Sequence, residues 1–579
     1  TLLLTLTLLV ASIPAALPAV LTVVLSAGAS HLAKDDVLVR RLPAIEELAS
    51  ADVICSDKTG TLTTGRLELS DPVLYSGLGE EEVLEMALLC SNYPAADDPI
   101  DRALSEGASS RKAAGPEAGP WTRVSYAPAD PVSKRAACVV KDDGRGRRII
   151  KGAPQVVLAA CDPASGVAER MRRDVSGLAA RGYRAIALAY RDSPPFEEDA
   201  GMTLAAVLPL RDPPRADTPA TVEAARGLGI EVKMITGDHY AAAGEVAAET
   251  GIEGEVATAD EINSWSDEEF GSLVETFSVF AQVLPENKYR IVQALQGAGH
   301  IVGMTGDGVN DSPALRKADV GIAVEGATDV ARAASDVVLT KPGLSVIIDG
   351  VREGKTVFAR MKNYVIYRVS ETTRIIVFMT LAVLVSGIVP MGPHQIILLA
   401  IMNDIPILLI SGDRASPALE PESWGMRRLI GTGTLLGMVG VATSFILFAI
   451  ARHYVRAGAI TSGQLQTLMF LKFSISGHML FFVARQRHHW WSRPRPSRSL
   501  LAAILLTMAV STTISTVGLG GLLPAIPIVA TLAVWGWCLV WMQIADFVKL
   551  AAYRIAGREP GGGAGRRNGG RGTVSPRAG

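Results

Sequence analysis

The sequence predicts a multi-domain membrane protein. It combines an α-helical transmembrane bundle of about seven spans with a cytoplasmic α/β domain that carries an inserted second α/β domain. Three observations predict this. Hydrophobic residues make up 49% of the 579 and charged residues 20%, but the two are unevenly distributed. Long apolar runs open and close the chain, and an ordinary charged, soluble stretch separates them. Within that stretch, short apolar strand-like runs lead to Asp57, Thr236 and Asp307, the first separated from the other two by a block of different character.

Net charge is −2, so bulk electrostatics makes no case for nucleic acid. The five cysteines, Cys55, Cys90, Cys138, Cys161 and Cys538, show no paired metal-ligand spacing. Four lie in the soluble part, which suits a reducing cytosol better than a disulfide framework. The first residue is Thr1, inside an apolar run, without a charged leader or cleavage signal. The expectation is an N-terminally truncated fragment.

Residues 1–35 form the first element. Leu2 to Ala29 is apolar and long enough to cross a bilayer, which takes about 20 residues. Pro14 and Pro18 cannot both sit in an unbroken helix, because each removes a donor and clashes with the preceding turn. Either the helix is broken, as at transporter ion sites, or it has a simple proline kink. Lys34, Arg40 and Arg41 put this end in the cytoplasm.

Residues 36–65 begin the α/β domain. Val53-Ile54-Cys55 reads as a strand, Asp57 follows just past its end, and Gly60 gives a turn. Open α/β sheets present their chemistry at the carboxyl ends of their strands. A carboxylate there can attack a phosphoryl group and form an aspartyl-phosphate; the alternative is an ordinary N-capping Asp. Lys58 adds positive charge, and Thr59 and Thr61 add hydroxyls and backbone N–H groups for phosphate oxygens.

Residues 66–205 read as the insertion, with alternating strands around Ala136–Val140 and Arg148–Ile150 separated by an Asp-Asp-Gly turn. It holds Asp130-Pro131-Val132-Ser133-Lys134-Arg135, Lys151-Gly152-Ala153-Pro154 and Arg181-Gly182-Tyr183-Arg184. Such basic groups are often only solvated. Residues 206–350 resume the first domain, re-entered at Leu208–Arg215. Strand Val232–Ile235 leads to Thr236-Gly237-Asp238, where Thr236 can hydrogen-bond a phosphoryl oxygen. Lys288 can neutralise charge developing on a transferred group. Strand Ile301–Met304 leads to Asp307, Asn310 and Asp311 at a Gly-rich turn. These acids suit Mg²⁺, a hard cation that takes oxygen ligands.

Residues 351–550 hold six apolar runs, at 363–389, 393–411, 429–451, 465–485, 499–520 and 524–546. Every second connection is basic, which makes those loops and the C-terminus cytoplasmic. Residues 551–579, rich in Gly and Arg, read as a disordered tail, either passive or touching anionic lipid.

Asp57-Lys58-Thr59-Gly60-Thr61-Leu62-Thr63 resembles, letter for letter, the phosphorylation motif of P-type ATPases. The later order of hydroxyl, lysine and metal-binding acids is similar to the haloacid-dehalogenase-like phosphotransferase fold, which that family uses as its phosphorylation domain. The resemblance implies a nucleotide-binding insertion with ATP contacts at Lys134, Arg135, Lys151, Gly152 and Arg184, and a further nucleotide contact at Asp238 in the phosphorylation domain. It implies a catalytic set of Asp57, Lys58, Thr59, Thr236, Gly237 and Lys288. Mg²⁺ would be held by Asp57, Thr59, Asp307 and Asp311, with Asn310 supporting the phosphate site. Close members carry Phe before the Asp-Pro element, stacked on adenine; here that position is Ala129, and Tyr126 is the nearest ring in sequence. The family also has earlier helices and an actuator domain with a Thr-Gly-Glu loop, a tripeptide that does not occur here. The missing actuator half is therefore an expected partner.

Ionisable groups at membrane depth cost about 2.5–3.5 kcal/mol each on insertion scales and are functional hypotheses by default. Asn403 and Asp404, beside Pro406, lie in one apolar run; Glu371 and Arg374 lie in the run before it. Arg374 and Asp404 are candidates to pair, unless Glu371 and Arg374 merely snorkel near a helix end. Asn363–Tyr367, Arg374, Asn403-Asp404 and Ser411–Arg414 resemble the plasma-membrane, proton-pumping branch. So does Ile13-Pro14-Ala15, which has Ala where calcium-pump relatives carry Glu. By this resemblance Asp404 accepts the proton, Arg374 controls its pKa and blocks back-flow, and Pro14, Pro18 and Asn403 shape the path. The expected function is ATP-driven proton export across the cell membrane. The alternatives are a pump for Mg²⁺, Ca²⁺ or a monovalent cation, or an inactive or split chain.

Overall fold

The computed structural model describes residues 16–556, apart from 93–97, 112–118, 131, 143, 163–165, 193, 195–198, 417–420 and 422–423. Pro14 and the tail from 557 lie outside the described residues. The chain divides into two compact units, one of them Ala29–Gly354 and the other holding the helices from Lys355 onward.

The first unit contains two sheets. In chain order the strands are β1 (Val37–Val39), β2 (Val53–Asp57), β3 (Glu68–Leu69), β4 (Val73–Leu74), β5 (Thr122–Ala127), β6 (Arg135–Asp142), β7 (Arg145–Gly152), β8 (Arg184–Arg191), β9 (Thr203–Arg211), β10 (Glu231–Ile235), β11 (Glu255–Thr258), β12 (Phe277–Ala281), β13 (Val302–Gly306), β14 (Val320–Ala323) and β15 (Val337–Leu339). Eight of them form one sheet in the order β1-β15-β14-β13-β2-β10-β12-β11, parallel except for β1. Its central strands read as unbroken apolar runs because helices cover both faces. Val53, Cys55, Ile235, Phe280 and Met304 are buried in its core. From β2 the chain first builds the β10–β12 side and then returns to build β13–β15 on the other. That reversal opens a crevice at the carboxyl end of β2, where such sheets bind ligands.

The other sheet, β3-β9-β8-β7-β6-β5 with β4 also on β9, is antiparallel. It is the insertion, and it corrects one expected boundary. Leu208–Arg211 does not resume the first domain; it is the end of β9, with Leu210 opposite Arg184 and Arg211 opposite Glu68. The insertion therefore runs to Arg211, not to residue 205, because Leu204–Leu210 is buried in the insertion core.

The helices used below are α1 (Ala16–Lys34), α2 (Glu80–Leu89), α3 (Pro99–Ser110), α4 (Tyr240–Thr250) and α5 (Pro285–Gly297), followed by α6 (Leu344–Ser386), α7 (Pro393–Ile407), α8 (Met426–Arg456), α9 (Ser462–Ala484), α10 (Arg498–Val517) and α11 (Ile528–Ala556). Among the described residues, six helices are long and apolar enough to cross a membrane: α6, α7 with the turn that follows it, and α8 to α11. The expected seventh, the opening span, is described only from Ala16, as α1. The membrane-competent stretch of α9 is 78% buried, against 28–39% for the others, so α9 is the central helix of its unit. Helix α11 continues to Ala556, so residues 551–556, expected in the tail, are helical.

Candidate active site

Asp57 is the last residue of β2 and lies in register with Ile235 on β10. Its backbone N–H donates to Thr305 Oγ1 at 2.9 Å, and its Oδ1 accepts from the Lys58 backbone N–H at 3.0 Å. Gly60, with φ +72°, turns the chain immediately afterwards in a conformation that disfavours a side chain. Thr61 is buried and Thr59 is exposed on this turn. Lys58 Nζ pairs with Asp238 Oδ2 at 2.7 Å. Asp238 thus sits beside the Asp57 motif.

Helix α5 carries Lys288 into the crevice, with Nζ 3.6 Å from Asp57 Oδ2 and 2.8 Å from Asp311 Oδ1. Asp311 is fixed from the other side, where its Oδ2 accepts from the backbone N–H groups of Asp307 and Gly308, both at 3.1 Å. A Cβ on Gly306 would lie 2.5 Å from Asp311 Cβ, so only glycine lets that approach occur. Thr236 is buried just past β10, and its Oγ1 accepts from the Asp238 backbone N–H at 3.1 Å. Gly237 and Asn310 are exposed at the rim of the crevice.

The charges are strained in one direction. Burial pushes the Asp57 carboxyl up to about 6, with Lys288 pulling it back and Asp311 and Asp307 pushing it further. Asp307 is also raised, by burial and then by Asp311. Burial alone would lower the Lys288 ammonium, but Asp57 and Asp311 outweigh it and the net shift is upward. Carboxylate oxygens of Asp57, Asp307 and Asp311 lie within 4.8 Å of one another. Crowded acids of this kind fit a hard divalent cation, which relieves their repulsion. Asp311 Oδ2 accepts from two backbone N–H groups and its Oδ1 from Lys288, so of the three acids it is the one held most firmly by the protein itself.

Two contributors escaped the sequence reading. Thr305 orients the Asp57 backbone; its signal was the parallel between Thr305-Gly306-Asp307 and Thr236-Gly237-Asp238. Asp212 accepts from Thr63 Oγ1 at 2.6 Å, the Gly65 N–H at 2.8 Å and Thr64 Oγ1 at 3.2 Å. It thereby ties the chain leaving the motif to the chain returning from the insertion.

The expected nucleotide residues of the insertion gather at one end of its sheet. Arg135 begins β6, Gly152 ends β7 opposite it, and Arg184 begins β8. A Cβ on Gly152 would lie 2.5 Å from the Lys134 carbonyl oxygen, so the two strands close tightly there. Lys134 and Arg184 are exposed. Arg135 pairs with Asp199 at 2.6 Å. Lys151 is buried, and its ammonium donates to Ser91 Oγ at 2.5 Å and to Asp101 on α3. Tyr126 is half-buried, with the Arg123 guanidinium 5.0 Å from its ring centroid; Ala129 is exposed.

In the helical unit the expected Arg374–Asp404 pair is not formed. Arg374 pairs with Glu371 at 2.7 Å, and Asp404 pairs with Arg368 at 3.2 Å. Glu371 is one turn from Arg374 on α6 and therefore on the same face. Arg368 and Arg374, six positions apart, project on different faces. Glu371 and Arg374 are both buried in the middle of α6, so neither snorkels from a helix end. Arg374 also donates to Ser476 Oγ at 2.5 Å and to the Phe473 carbonyl at 3.0 Å. Gly440 and Gly477 make room for the pair, since a Cβ would lie 2.5 Å from Arg374 Cδ and 2.8 Å from Glu371 Oε1 respectively. Asn403 is buried with its Oδ1 unpartnered. Pro18 lies in α1.

A family model for haloacid dehalogenase-like hydrolases matches residues 51–319. A Methanocaldococcus jannaschii protein provisionally named a cation-transporting ATPase is 40% identical over 557 residues, covering 94% of this chain and 67% of the relative. A Dictyostelium discoideum protein provisionally named a plasma membrane ATPase is 36% identical over 95% of this chain and 54% of its own length. The plasma membrane ATPase of Kluyveromyces lactis is 35% identical over 88% and 57%. The chain thus spans between about half and two thirds of the length of the relatives it matches. Identity of that level, running through both the sheet domain and the helices, means that the chain belongs to the P-type ATPase family, on the branch of the plasma membrane ATPases.

Proposed function

We propose that the chain performs ATP-driven proton export across the cell membrane through an aspartyl-phosphate on Asp57. The observation that carries this is Asp57 at a strand end, facing the Lys288 ammonium at 3.6 Å. An Asp57 carboxylate oxygen attacks the γ-phosphorus of ATP. The new O–P bond forms as the bond to the β-phosphate oxygen breaks, and ADP leaves with that electron pair. Lys288 and Thr236 steady the transferred group as its charge shifts, with Lys58, Thr59 and Gly237 around it and Asn310 supporting the phosphate. Lys134, Arg135, Lys151, Gly152, Arg184 and Asp238 contact the nucleotide. Asp57 and Asp307, assisted by Thr59 and Asp311, would hold Mg²⁺, which when bound screens phosphate charge. The dephosphorylation half of the cycle is not assigned to these residues.

For the ion, Asp404 is the proton acceptor, with Asn403 beside it. One carboxylic acid suffices for H⁺, and Arg368 pairs with its ionised form, the state in which the proton has left. Arg374, locked to Glu371, is a fixed cation between the helices that opposes back-flow. Moving one charge against the potential costs about 2.3 kcal/mol per 100 mV, which the phosphorylation step supplies. The sheet domain and the C-terminus are cytoplasmic in this reading.

Radiolabelled ATP should leave an acid-stable, hydroxylamine-sensitive label that Asp57→Asn abolishes; a label retained in that variant overturns the chemistry. Proton flux into vesicles that survives Asp404→Asn overturns the ion site. The archaeal relative's name, a cation-transporting ATPase, favours a second reading: the same chemistry driving another cation. An ATPase rate that requires such an ion, instead of following pH, would select it.

A further inference from the structure

Between α6, α8, α9 and α11 lies a cavity lined by Arg374, Thr443, Lys472, Ser476, Cys538 and Trp541 among apolar side chains. About 40 Å³ of it is open to the centre of a water-sized sphere, above the ~10–15 Å³ that one such particle needs. Two cations border it. Lys472 is 1% exposed and Arg374 2%, and both stand over the same ring, 4.6 and 4.7 Å from the Phe473 centroid. Only one carboxylate answers them. Glu371 is paired with Arg374, and among the described residues no carboxylate lies within ion-pair distance of Lys472.

The hydrogen-bonding inventory has the same imbalance. An ammonium has three donors. Lys472 donates to Ser444 Oγ and, at 3.5 Å, to the Gly440 carbonyl. The Arg374 Nε–H is buried without a partner. The hydroxyls nearby are already turned away from the cavity as donors: Thr443 and Ser444 to the Gly440 carbonyl, Ser476 to the Lys472 carbonyl. What remains is a small, partly open space with surplus positive charge, surplus N–H donors and a lack of acceptors. A buried charge without a partner is costly.

We propose that this cavity binds a small monovalent anion of the halide class, held between Lys472 and Arg374. The bound anion balances Lys472 as Glu371 balances Arg374, and leaves the centre of the bundle neutral. The site is independent of which cation the protein moves and of the chemistry at Asp57.

The test is thermal unfolding of the purified full chain in detergent, in sodium chloride or bromide against sodium gluconate at equal ionic strength. A ligand that binds only the folded state raises the midpoint in a saturable way. The expected result is a saturable rise of several degrees with chloride and bromide, absent with the bulky gluconate, and lost in Lys472→Met. Coincident chloride and gluconate curves, or full chloride dependence in Lys472→Met, overturn the proposal. If Lys472→Met does not fold, bromide-soaked wild-type crystals decide. An anomalous peak between Lys472 and Arg374 supports the site, and a cavity without one at saturating bromide overturns it.

Discussion

Lys288 stands between two acids, 3.6 Å from Asp57 and 2.8 Å from Asp311. It is held more closely by Asp311 than by Asp57, the phosphoryl acceptor proposed above. In that reading Asp311 works as an anchor that presents the ammonium to Asp57. Lys288→Met should lower the rate of phosphoenzyme formation by roughly 10²–10³-fold, the usual loss for one preorganised charge-stabilising group. Lys288→Arg should retain part of the rate, because the charge survives in a different shape. Rapid-quench labelling with radiolabelled ATP measures both.

Asp57 also predicts a pH dependence. Its carboxyl is pushed up to about 6, chiefly by burial, from an unfolded value of 3.8. As the proposed nucleophile Asp57 must be charged, so phosphorylation should fall as pH drops through about 6. For stability the sign reverses. A carboxyl whose folded pKa is raised favours the fold at low pH and opposes it increasingly as pH rises from 3.8 to about 6. Asp57→Asn, which cannot be phosphorylated, should therefore raise the unfolding midpoint at pH 7. The gain should be on the order of 1–3 kcal/mol. At pH 4 the difference should largely vanish.

His300 gives the opposite linkage at the other end of the same sheet. Its Nδ1 lies 3.0 Å from Asp52 and its Nε2 3.2 Å from Glu275. The Asp52 hydrogen bond does most to raise its pKa, burial opposes, and Glu275 adds to the rise. Stability from this group is full below the unfolded histidine value and is lost as pH rises through the raised folded one. His300→Gln should cost under about 1 kcal/mol at acidic pH, given its partial exposure, and almost nothing in alkali. Thermal melts of the two proteins across that range check it.

Gly306 allows a direct steric prediction. A methyl at this position would meet Asp311 Cβ at 2.5 Å, and the Asp311 carboxylate is tied to two backbone N–H groups and Lys288. It has nowhere to retreat without breaking them. Gly306→Ala should cost about 1–3 kcal/mol as an overpacked site. It should lose phosphorylation more completely than that destabilisation explains, with folded protein quantified alongside the label.

These residues also show what was legible in the sequence and what was not. Asp57, Thr236, Asp307 and Asp311 were readable as candidates because each lies at or near a strand end or Gly-rich turn, and parallel strands announce themselves as unbroken apolar runs; Lys288, in the first turn of α5, was readable as a lone cation after Pro285. The end of the insertion was not, because β9 is as apolar as a strand of the first sheet; only its antiparallel partners, β8 and β3, reveal its membership. Lys151 was legible as a basic group but not as a buried one, since its partners Ser91 and Asp101 lie 50 to 60 positions away. The membrane charges were visible as anomalies in apolar runs. The pairing of Arg368 with Asp404 was not, because it depends on the rotation of α6 about its axis, whereas Glu371 and Arg374 pair within α6 at one-turn spacing.

That last pairing can be tested without assuming which ion moves. Arg368 Nη1 lies 3.2 Å from Asp404 Oδ1, and the Arg368 Nε has no partner of its own, so Asp404 is the carboxylate it answers among the described residues. Removing either partner leaves the other charged among helices. Breaking a fully buried pair costs about 3–5 kcal/mol, and this pair, partly exposed, should cost less. Removing both, as in Arg368→Met with Asp404→Asn, should be less destabilising than the sum of the single changes, with a coupling of about 0.5–3 kcal/mol. Thermal melts of the four proteins in one detergent measure it. Arg374→Met combined with Asp404→Asn should show much weaker coupling, because Arg374 answers Glu371. Strong coupling of Asp404 to Arg374 and none to Arg368 would reverse the assignment. It would also remove Arg368 from the account of how the acid is held.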